Sequence, residues 1–167
     1  EDHIEAINNL PGLVFLPSDL PHLIKSNNPI VTEFHRGHPQ NNNWPPYLDI
    51  EAEYPIFYWG GTVAYYGLQI ASWMGFDEVY IIGVDLSYTI PRSVIKKGAV
   101  LESTEDDPNH YKASYFGKGL RWHMPNPERM LLAFQRHSKR NGDMKIFNAG
   151  VGGNLNCYKR VIYEDLF

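Results

Sequence analysis

The chain contains a single cysteine, Cys157, among its 167 residues, which excludes a disulfide framework and a multi-cysteine zinc centre. Long hydrophobic runs are missing as well. The longest, such as Val79-Tyr80-Ile81-Ile82-Gly83-Val84, fall far short of the ~20 residues a membrane-spanning helix needs. No basic start followed by an apolar middle opens the chain as a secretory signal would. Positive charge is in deficit, with 15 Lys and Arg against 19 Asp and Glu and a formal net charge of −4. That balance argues against broad nucleic-acid binding, which needs a basic face to release counterions. What remains is an ordinary globular composition, 43% hydrophobic and 20% charged, in a length able to bury roughly two-thirds of the surface its unfolded chain exposes. The expectation is a soluble, cytoplasmic chain with no nucleic-acid partner and no transmembrane segment. Aromatic residues reach 14%, with 11 Tyr and 4 Trp, side chains that suit a flat or sugar-like ligand as well as they suit a core.

The first part of the chain reads as short strands between turn-formers. Gly12-Leu13-Val14-Phe15-Leu16 lies between Pro11 and Pro17, and Ile30-Val31-Thr32-Glu33-Phe34 follows Asn27-Asn28-Pro29. Residues 40–46, with three asparagines and two prolines, read as a loop. From 62 to 74, apolar side chains recur at Val63, Tyr66, Ile70, Ala71 and Met74, the spacing of an amphipathic helix, and Gly75 is placed to close it in the left-handed conformation. The run 79–84 follows at once and resembles a strand covered on both faces. Residues 85–124 show no sustained periodicity. Asn126-Pro127-Glu128 then supplies an N-cap, a proline at the first helical position and an acid in the first turn; Met130, Leu131 and Phe134 continue an apolar face, and Lys139-Arg140-Asn141-Gly142 ends it. Lys145-Ile146-Phe147-Asn148 is the next strand.

Helix, strand, long loop, helix and strand imply a crossover and a parallel sheet. The predicted fold is α/β and Rossmann-like, mainly parallel, with helices on both faces and a long active-site loop after an inner strand. Ligands of open α/β sheets sit beyond the carboxyl ends of the strands, so a site is expected within 85–123, beside the Gly-rich segment 148–154. Asp85, Ser87 and Tyr88 stand just past the strand end, where a carboxylate can accept from ribose hydroxyls and a tyrosine can donate to a phosphate oxygen. The alternative is a turn aspartate serving local backbone. Gly60-Gly61-Thr62 precedes a helix whose first N–H groups favour an anion, or is simply a turn and a cap. His110, within Asn109-His110-Tyr111 and near Asp106, Asp107 and Tyr115, is suited to take a proton from a hydroxyl near neutral pH. Glu33, His35 and His38 are residue types that ligate zinc, but they form no zinc-enzyme motif. Cys157 has no nucleophile pattern around it. Lys96, Lys97, Arg136, Lys139 and Arg140 read as solvated charges.

Met74-Gly75-Phe76-Asp77-Glu78-Val79-Tyr80-Ile81-Ile82-Gly83-Val84-Asp85-Leu86-Ser87-Tyr88, Asn109-His110-Tyr111, Tyr115-Phe116-Gly117 and Phe147-Asn148-Ala149-Gly150-Val151-Gly152-Gly153-Asn154-Leu155 together resemble one bacterial superfamily. It joins the motility-accessory flagellin glycosyltransferases, the 6-hydroxymethylpterin diphosphokinase-like proteins and, more distantly, the sialyltransferases of glycosyltransferase family 42. The resemblance covers residues 60–167. It implies that His110 is the general base for an acceptor hydroxyl and that Tyr88, offset by one residue from the family position, steadies the departing nucleotide phosphate without a metal. Gly60, Gly61, Thr62, Asp85, Asn109, Asn148, Gly152 and Gly153 would contact the nucleotide. Arg92-Ser93-Val94-Ile95 stand where the family's second phosphate-binding tyrosine is expected. The family's N-terminal strand and Gly/Asn-rich loop are not visible upstream. The expectation is therefore one α/β domain over 1–167, a fragment lacking that nucleotide-binding element.

The function so implied is transfer of a sugar from a nucleotide donor, such as a CMP-linked nonulosonic acid, to a surface glycan or protein acceptor in lipopolysaccharide biosynthesis. No cofactor would be needed. Self-association and peripheral attachment to the inner membrane are compatible with it. Two alternatives stand beside it. One is a pterin-type diphosphokinase using ATP and Mg, with Asp85, Asp106 and Asp107 as metal ligands. The other is a noncatalytic nucleotide- or carbohydrate-binding remnant.

Overall fold

The computed structural model describes residues 4–18, 29–35, 56–139 and 142–167. A short helix α1 (Ile4–Asn8) leads into β1 (Val14–Pro17), which pairs in parallel with β2 (Pro29–His35), and β2 pairs in parallel with β3 (Ile56–Tyr58). Helix α2 (Val63–Trp73) and β4 (Glu78–Ile81) follow. An antiparallel meander comes next, formed by β5 (Ile95–Lys97), β6 (Val100–Glu102) and β7 (Arg121–His123). Helix α3 (Pro127–Ser138) returns the chain to β8 (Lys145–Asn148) and β9 (Lys159–Arg160), and a turn of 3-10 helix (Tyr163–Leu166) ends it. Strand β8 lies between β4 and β9 and is parallel to both, so the molecule is a mixed α/β structure with parallel three-stranded sheets. No helix among the described residues is long and apolar enough to cross a membrane.

Capping residues set the helix ends. Thr62 Oγ1 accepts from Ala64 N at 3.3 Å, and Asn126 Oδ1 accepts from Arg129 N at 3.0 Å ahead of Pro127. The end of α2 is a Schellman arrangement: Gly75, at φ +79, donates to Ser72 O, and Phe76 N donates to Ala71 O.

The main core lies where α2 and α3 meet the β4–β8 pair. Tyr65, Leu68, Met130, Ala133, Phe134, Ile146, Leu155 and Tyr158 are all buried there. A smaller cluster joins α2 to the first sheet through edge-on contacts of Trp73 with Phe15 and of Phe57 with Tyr66 and Trp73. Gln69, 1% exposed, closes this seam: its amide accepts from Tyr58 N at 3.0 Å and donates to Tyr58 O at 2.8 Å. The side chain thus pairs with β3 as a neighbouring strand would.

Three expectations need correction. The inward sector of α2 is Tyr65, Tyr66, Leu68 and Gln69, whereas Val63 is 73% exposed and Met74 48%. A helix wedged between β3 and α3 is buried along two lines, which the single-stripe pattern misses. Strand β4 ends at Ile81, and its outer face is not covered, with Tyr80 42% and Ile82 60% exposed. Tyr80 stacks on Phe147 at 5.1 Å and donates to Glu78 Oε2, while Glu78 pairs with Lys145 across the strands at 3.0 Å. Only the Tyr80 ring is partly covered in this way, by Phe147. Finally, residues 85–124 are not structureless, because they hold the meander. Residues 36–55, 140 and 141 lie outside the described residues, so the expected loop at 40–46, His38 and the helix-ending Arg140-Asn141 are not placed. Glu33 and His35 are placed as β2 backbone.

Candidate functional site

A cavity of about 640 Å³ opens where the meander faces the first turn of α3. Strand β7 brings Arg121, Trp122 and His123 to its wall. Asn126, Arg129 and Met130 arrive from the start of α3, Trp59 from the end of β3 and Gly61 from the turn before α2. Tyr88, Asn109, His110 and Phe116 complete it from the loops flanking β5 and β6. Of the residues expected to act, the cavity therefore brings together His110, Tyr88, Asn109 and Gly61.

The wall around His110 is aromatic and closely ordered. The His110 ring stacks on Tyr115 at 4.4 Å and meets Phe116 edge-on at 5.2 Å, and Phe116 stacks on Trp122 at 5.5 Å. Trp122 is anchored by donation from Nε1 to the buried Ser103 hydroxyl at 3.0 Å. Asn109 clasps the opposite loop, with Oδ1 accepting from Thr89 N at 2.6 Å and Nδ2 donating to Thr89 O at 2.9 Å. The clasp fixes the segment carrying Tyr88 against the segment carrying His110.

Asp107 sits beneath the histidine. Its Oδ2 lies 2.6 Å from His110 Nδ1 and accepts from Phe116 N at 3.1 Å, while Oδ1 accepts from Asn109 N at 2.8 Å. Burial alone would raise its pKa. The backbone donor of Asn109, the His110 ring and the backbone donor of Phe116 outweigh that cost and hold the carboxyl below its ordinary range. Its side chain is 2% exposed, against 36% for His110. The carboxylate is built in, and the imidazole above it reaches the surface.

Tyr88 is 37% exposed and directs its hydroxyl toward Met130 Sδ at 3.8 Å. Partial burial first, and the Asp85 charge second, raise its pKa, so the phenol stays protonated and remains a donor. The chain reaches Tyr88 through Leu86, which is buried and held at φ 52, a left-handed conformation unusual for leucine. Asn154 Nδ2 donates to Leu86 O at 3.2 Å across this bend.

The remaining expected residues lie elsewhere. Asn148 is 2% exposed, with Nδ2 donating to Leu155 O at 2.7 Å and Oδ1 accepting from Gly150 N at 2.9 Å, so its polar atoms shape the loop after β8. Asp85 is exposed, and its carbonyl accepts from Asn154 N at 2.6 Å. Gly153, at φ +82, crosses Asp85 so closely that a Cβ would fall 2.3 Å from its carbonyl oxygen. Gly60 packs beneath the Tyr65 ring, where a Cβ would come within 2.2 Å, and Thr62 serves as the α2 cap. Gly152 is exposed and does not line the cavity. The two strand-end loops do leave at one edge, because β4 and β8 run parallel. They dock on each other, and the cavity forms farther out, against the meander.

Trp59, Arg121, Trp122, His123 and Arg129 were not singled out from the sequence. A signal for the meander existed. Ile95-Lys96-Lys97 and Val100-Leu101-Glu102 flank Gly98-Ala99, a two-residue turn whose glycine takes φ +66, the glycine-first pattern of a tight hairpin. Such a hairpin projects the following strand, and its Arg-Trp-His, back over the loop. Among the described residues, no group of three or more His, Cys, Asp or Glu side chains is arranged to hold a metal ion. No protein-family model matches this chain, and no curated protein or solved structure does.

Proposed function

We propose that this chain is a Rossmann-like glycosyltransferase domain, akin to the motility-accessory and sialyltransferase superfamily, that moves a sugar from a nucleotide donor to a hydroxyl acceptor. A CMP-linked nonulosonic acid is the donor that resemblance favours, and a surface glycan or protein is the acceptor. The observation that carries the reading is a single cavity in which His110 and Tyr88 share walls with Arg121, Arg129 and the stacked Phe116–Trp122 pair. A proton acceptor, a phenol donor, cations and flat rings together suit transfer from a nucleotide sugar.

In the proposed step the acceptor oxygen forms its bond to the anomeric carbon while the bond from that carbon to the phosphate oxygen breaks. The nucleotide leaves with the electron pair, and the acceptor proton passes to His110. Tyr88 donates to the leaving phosphate, and the guanidinium groups oppose its charge, a role a metal plays in other transferases. The diphosphokinase alternative makes Asp85 a Mg ligand together with loop acids such as Asp106 and Asp107, and of these Asp107 is already engaged by three donors. The transferase reading leaves those bonds intact.

Thermal-shift measurements of the chain with CMP, UDP, GDP and ATP, each with and without Mg, test this reading. A bound nucleotide at a hundred times its Kd stabilises by about 2.7 kcal/mol, roughly 5–10 °C for a domain of this size. A metal-independent shift with CMP is the expected result. A shift confined to ATP with Mg would replace the transferase with the diphosphokinase, and no shift with any nucleotide would leave a noncatalytic domain.

A further inference from the structure

We infer that Asp107 is a positioning residue for His110, fixing the imidazole in the tautomer that carries its proton on Nδ1 and turns Nε2 into the acceptor. The inference rests on the transferase reading of the cavity, and it assigns a role to a residue outside the set that the superfamily resemblance supplies.

The argument begins with the carboxylate's other bonds. Asp107 Oδ1 accepts from Asn109 N and Oδ2 accepts from Phe116 N, so the orientation of the carboxylate is set by backbone from both sides of the histidine. An ionised carboxylate only accepts, so the ring atom 2.6 Å from Oδ2 must carry hydrogen. In a neutral imidazole the other nitrogen then has its lone pair free, as a base requires. The ring plane is fixed independently by stacking on Tyr115 at 23° and by the edge contact with Phe116. Hydrogen bond and stack together leave the ring neither rotation nor choice of tautomer. Once His110 accepts the hydroxyl proton, the neighbouring carboxylate also stabilises the imidazolium that forms.

An amide cannot reproduce this cage. In Asp107→Asn, the carbonyl oxygen can occupy the Oδ2 position only by turning the NH2 group against Asn109 N–H. If the amide is reversed, the NH2 group points at Phe116 N–H and His110, which must then move its proton to Nε2 and lose the base. Either arrangement leaves a backbone donor unpaired.

The test uses the full chain, labelled with nitrogen-15. Ring-nitrogen shifts of His110, assigned by their loss in His110→Ala, report the tautomer of the neutral ring without any substrate. The expected result is hydrogen on Nδ1 in the parent chain and hydrogen moved toward Nε2 in Asp107→Asn. In a transfer assay, kcat of Asp107→Asn should fall roughly 10²–10⁴-fold while Kd for the nucleotide stays within about twofold. An Nε2–H tautomer in the parent chain overturns the inference whether or not Asp107→Asn folds. So does Asp107→Asn turnover within about threefold of the parent when His110→Ala is inactive. If His110→Ala itself keeps its turnover, the base reading of the cavity fails instead.

Discussion

Segments 107–116 and 148–158 are both tied down by dense local hydrogen bonds, yet they use their side chains in opposite directions. Asn148 spends both polar atoms on the backbone of its own loop, and Tyr158 donates to Phe134 O at 3.2 Å with His137 Nδ1 at 3.4 Å beyond it. The polar atoms of Asn148 and Tyr158 serve the core. In 107–116, Asp107 is satisfied by its neighbours so that His110 can remain at the cavity surface. Polar residues near a strand end are therefore a poor guide to a site by themselves. What separates the two segments is whether the hydrogen-bonded residue ends the network or holds up another that faces solvent.

Removing the outermost member of each network tests that distinction. His110→Ala deletes the member that faces the cavity, so under the proposed transfer reaction it should lower turnover by roughly 10²–10⁴-fold, about 3–5 kcal/mol of barrier, with Kd for the nucleotide unchanged. Loss of the bond to Asp107 and of the stack on Tyr115 costs about 1–2 kcal/mol, so the melting temperature should fall by roughly 2–8 °C. Turnover near the parental value, or a collapse in melting, would erase the contrast between the segments.

The second test sets His110 against His137. Packed edge-on against Tyr65, His137 has its pKa lowered by burial from 6.5 to about 4. The unfolded chain therefore binds a proton at this position before the folded chain does. The stabilising contribution is complete above pH 6.5, declines as pH falls, and levels off below about 4, a loss of about 3 kcal/mol. Asp107, with its lowered pKa, adds a loss of the same sign only below its ordinary 3.8. Denaturant unfolding of the parent chain and of His137→Gln across this interval measures the difference in slope. Equal slopes would mean that burial does not lower the His137 pKa.

How much of this was legible beforehand differs by element. Helix α3 and strand β8 are written locally, in Asn126-Pro127-Glu128 and in the apolar pair Ile146-Phe147 that follows the helix stop, and both lie where the pattern puts them. The α2 face was not legible, because Gln69 is polar by type and its burial is satisfied by Tyr58, a partner eleven residues away, together with Tyr65 O one turn back. The meander was missed because each strand has three residues and Lys96-Lys97 has no apolar alternation. For the cavity, His110, which lines it, was singled out by residue chemistry and by resemblance. Its support by Asp107 has a local signature, an acid three residues before a histidine, that becomes meaningful only when the loop turns. Asn148 lies off the cavity, which was not legible for the converse reason: an asparagine beside glycines looks the same whether it faces a ligand or its own backbone.

Asn148→Ala examines that last point. Truncation leaves Leu155 O and Gly150 N without partners in a buried loop, a cost of about 2 kcal/mol, or a fall in melting temperature of roughly 4–8 °C. Nucleotide Kd should change by less than about threefold, a difference under 1 kcal/mol. A much larger loss of affinity at unchanged stability would return Asn148 to the ligand.

The smallest expected effect belongs to Thr62, which sits one residue from the cavity-lining Gly61. Its hydroxyl accepts from Ala64 N at 3.3 Å, and its backbone is extended at φ −150, the geometry of an N-cap. Thr62→Ala removes one orphan-donor partner at the start of α2 and should cost about 1 kcal/mol, or roughly 2–4 °C in melting. Serine keeps the hydroxyl, so Thr62→Ser should recover most of that loss. If Thr62 instead touches the phosphate, alanine should weaken nucleotide binding by tenfold or more, about 1.4 kcal/mol, beyond any effect on melting. Titration of the nucleotide into the parent, Thr62→Ala and Thr62→Ser chains separates the two, because a cap changes only the melting curve whereas a ligand contact also changes the binding isotherm.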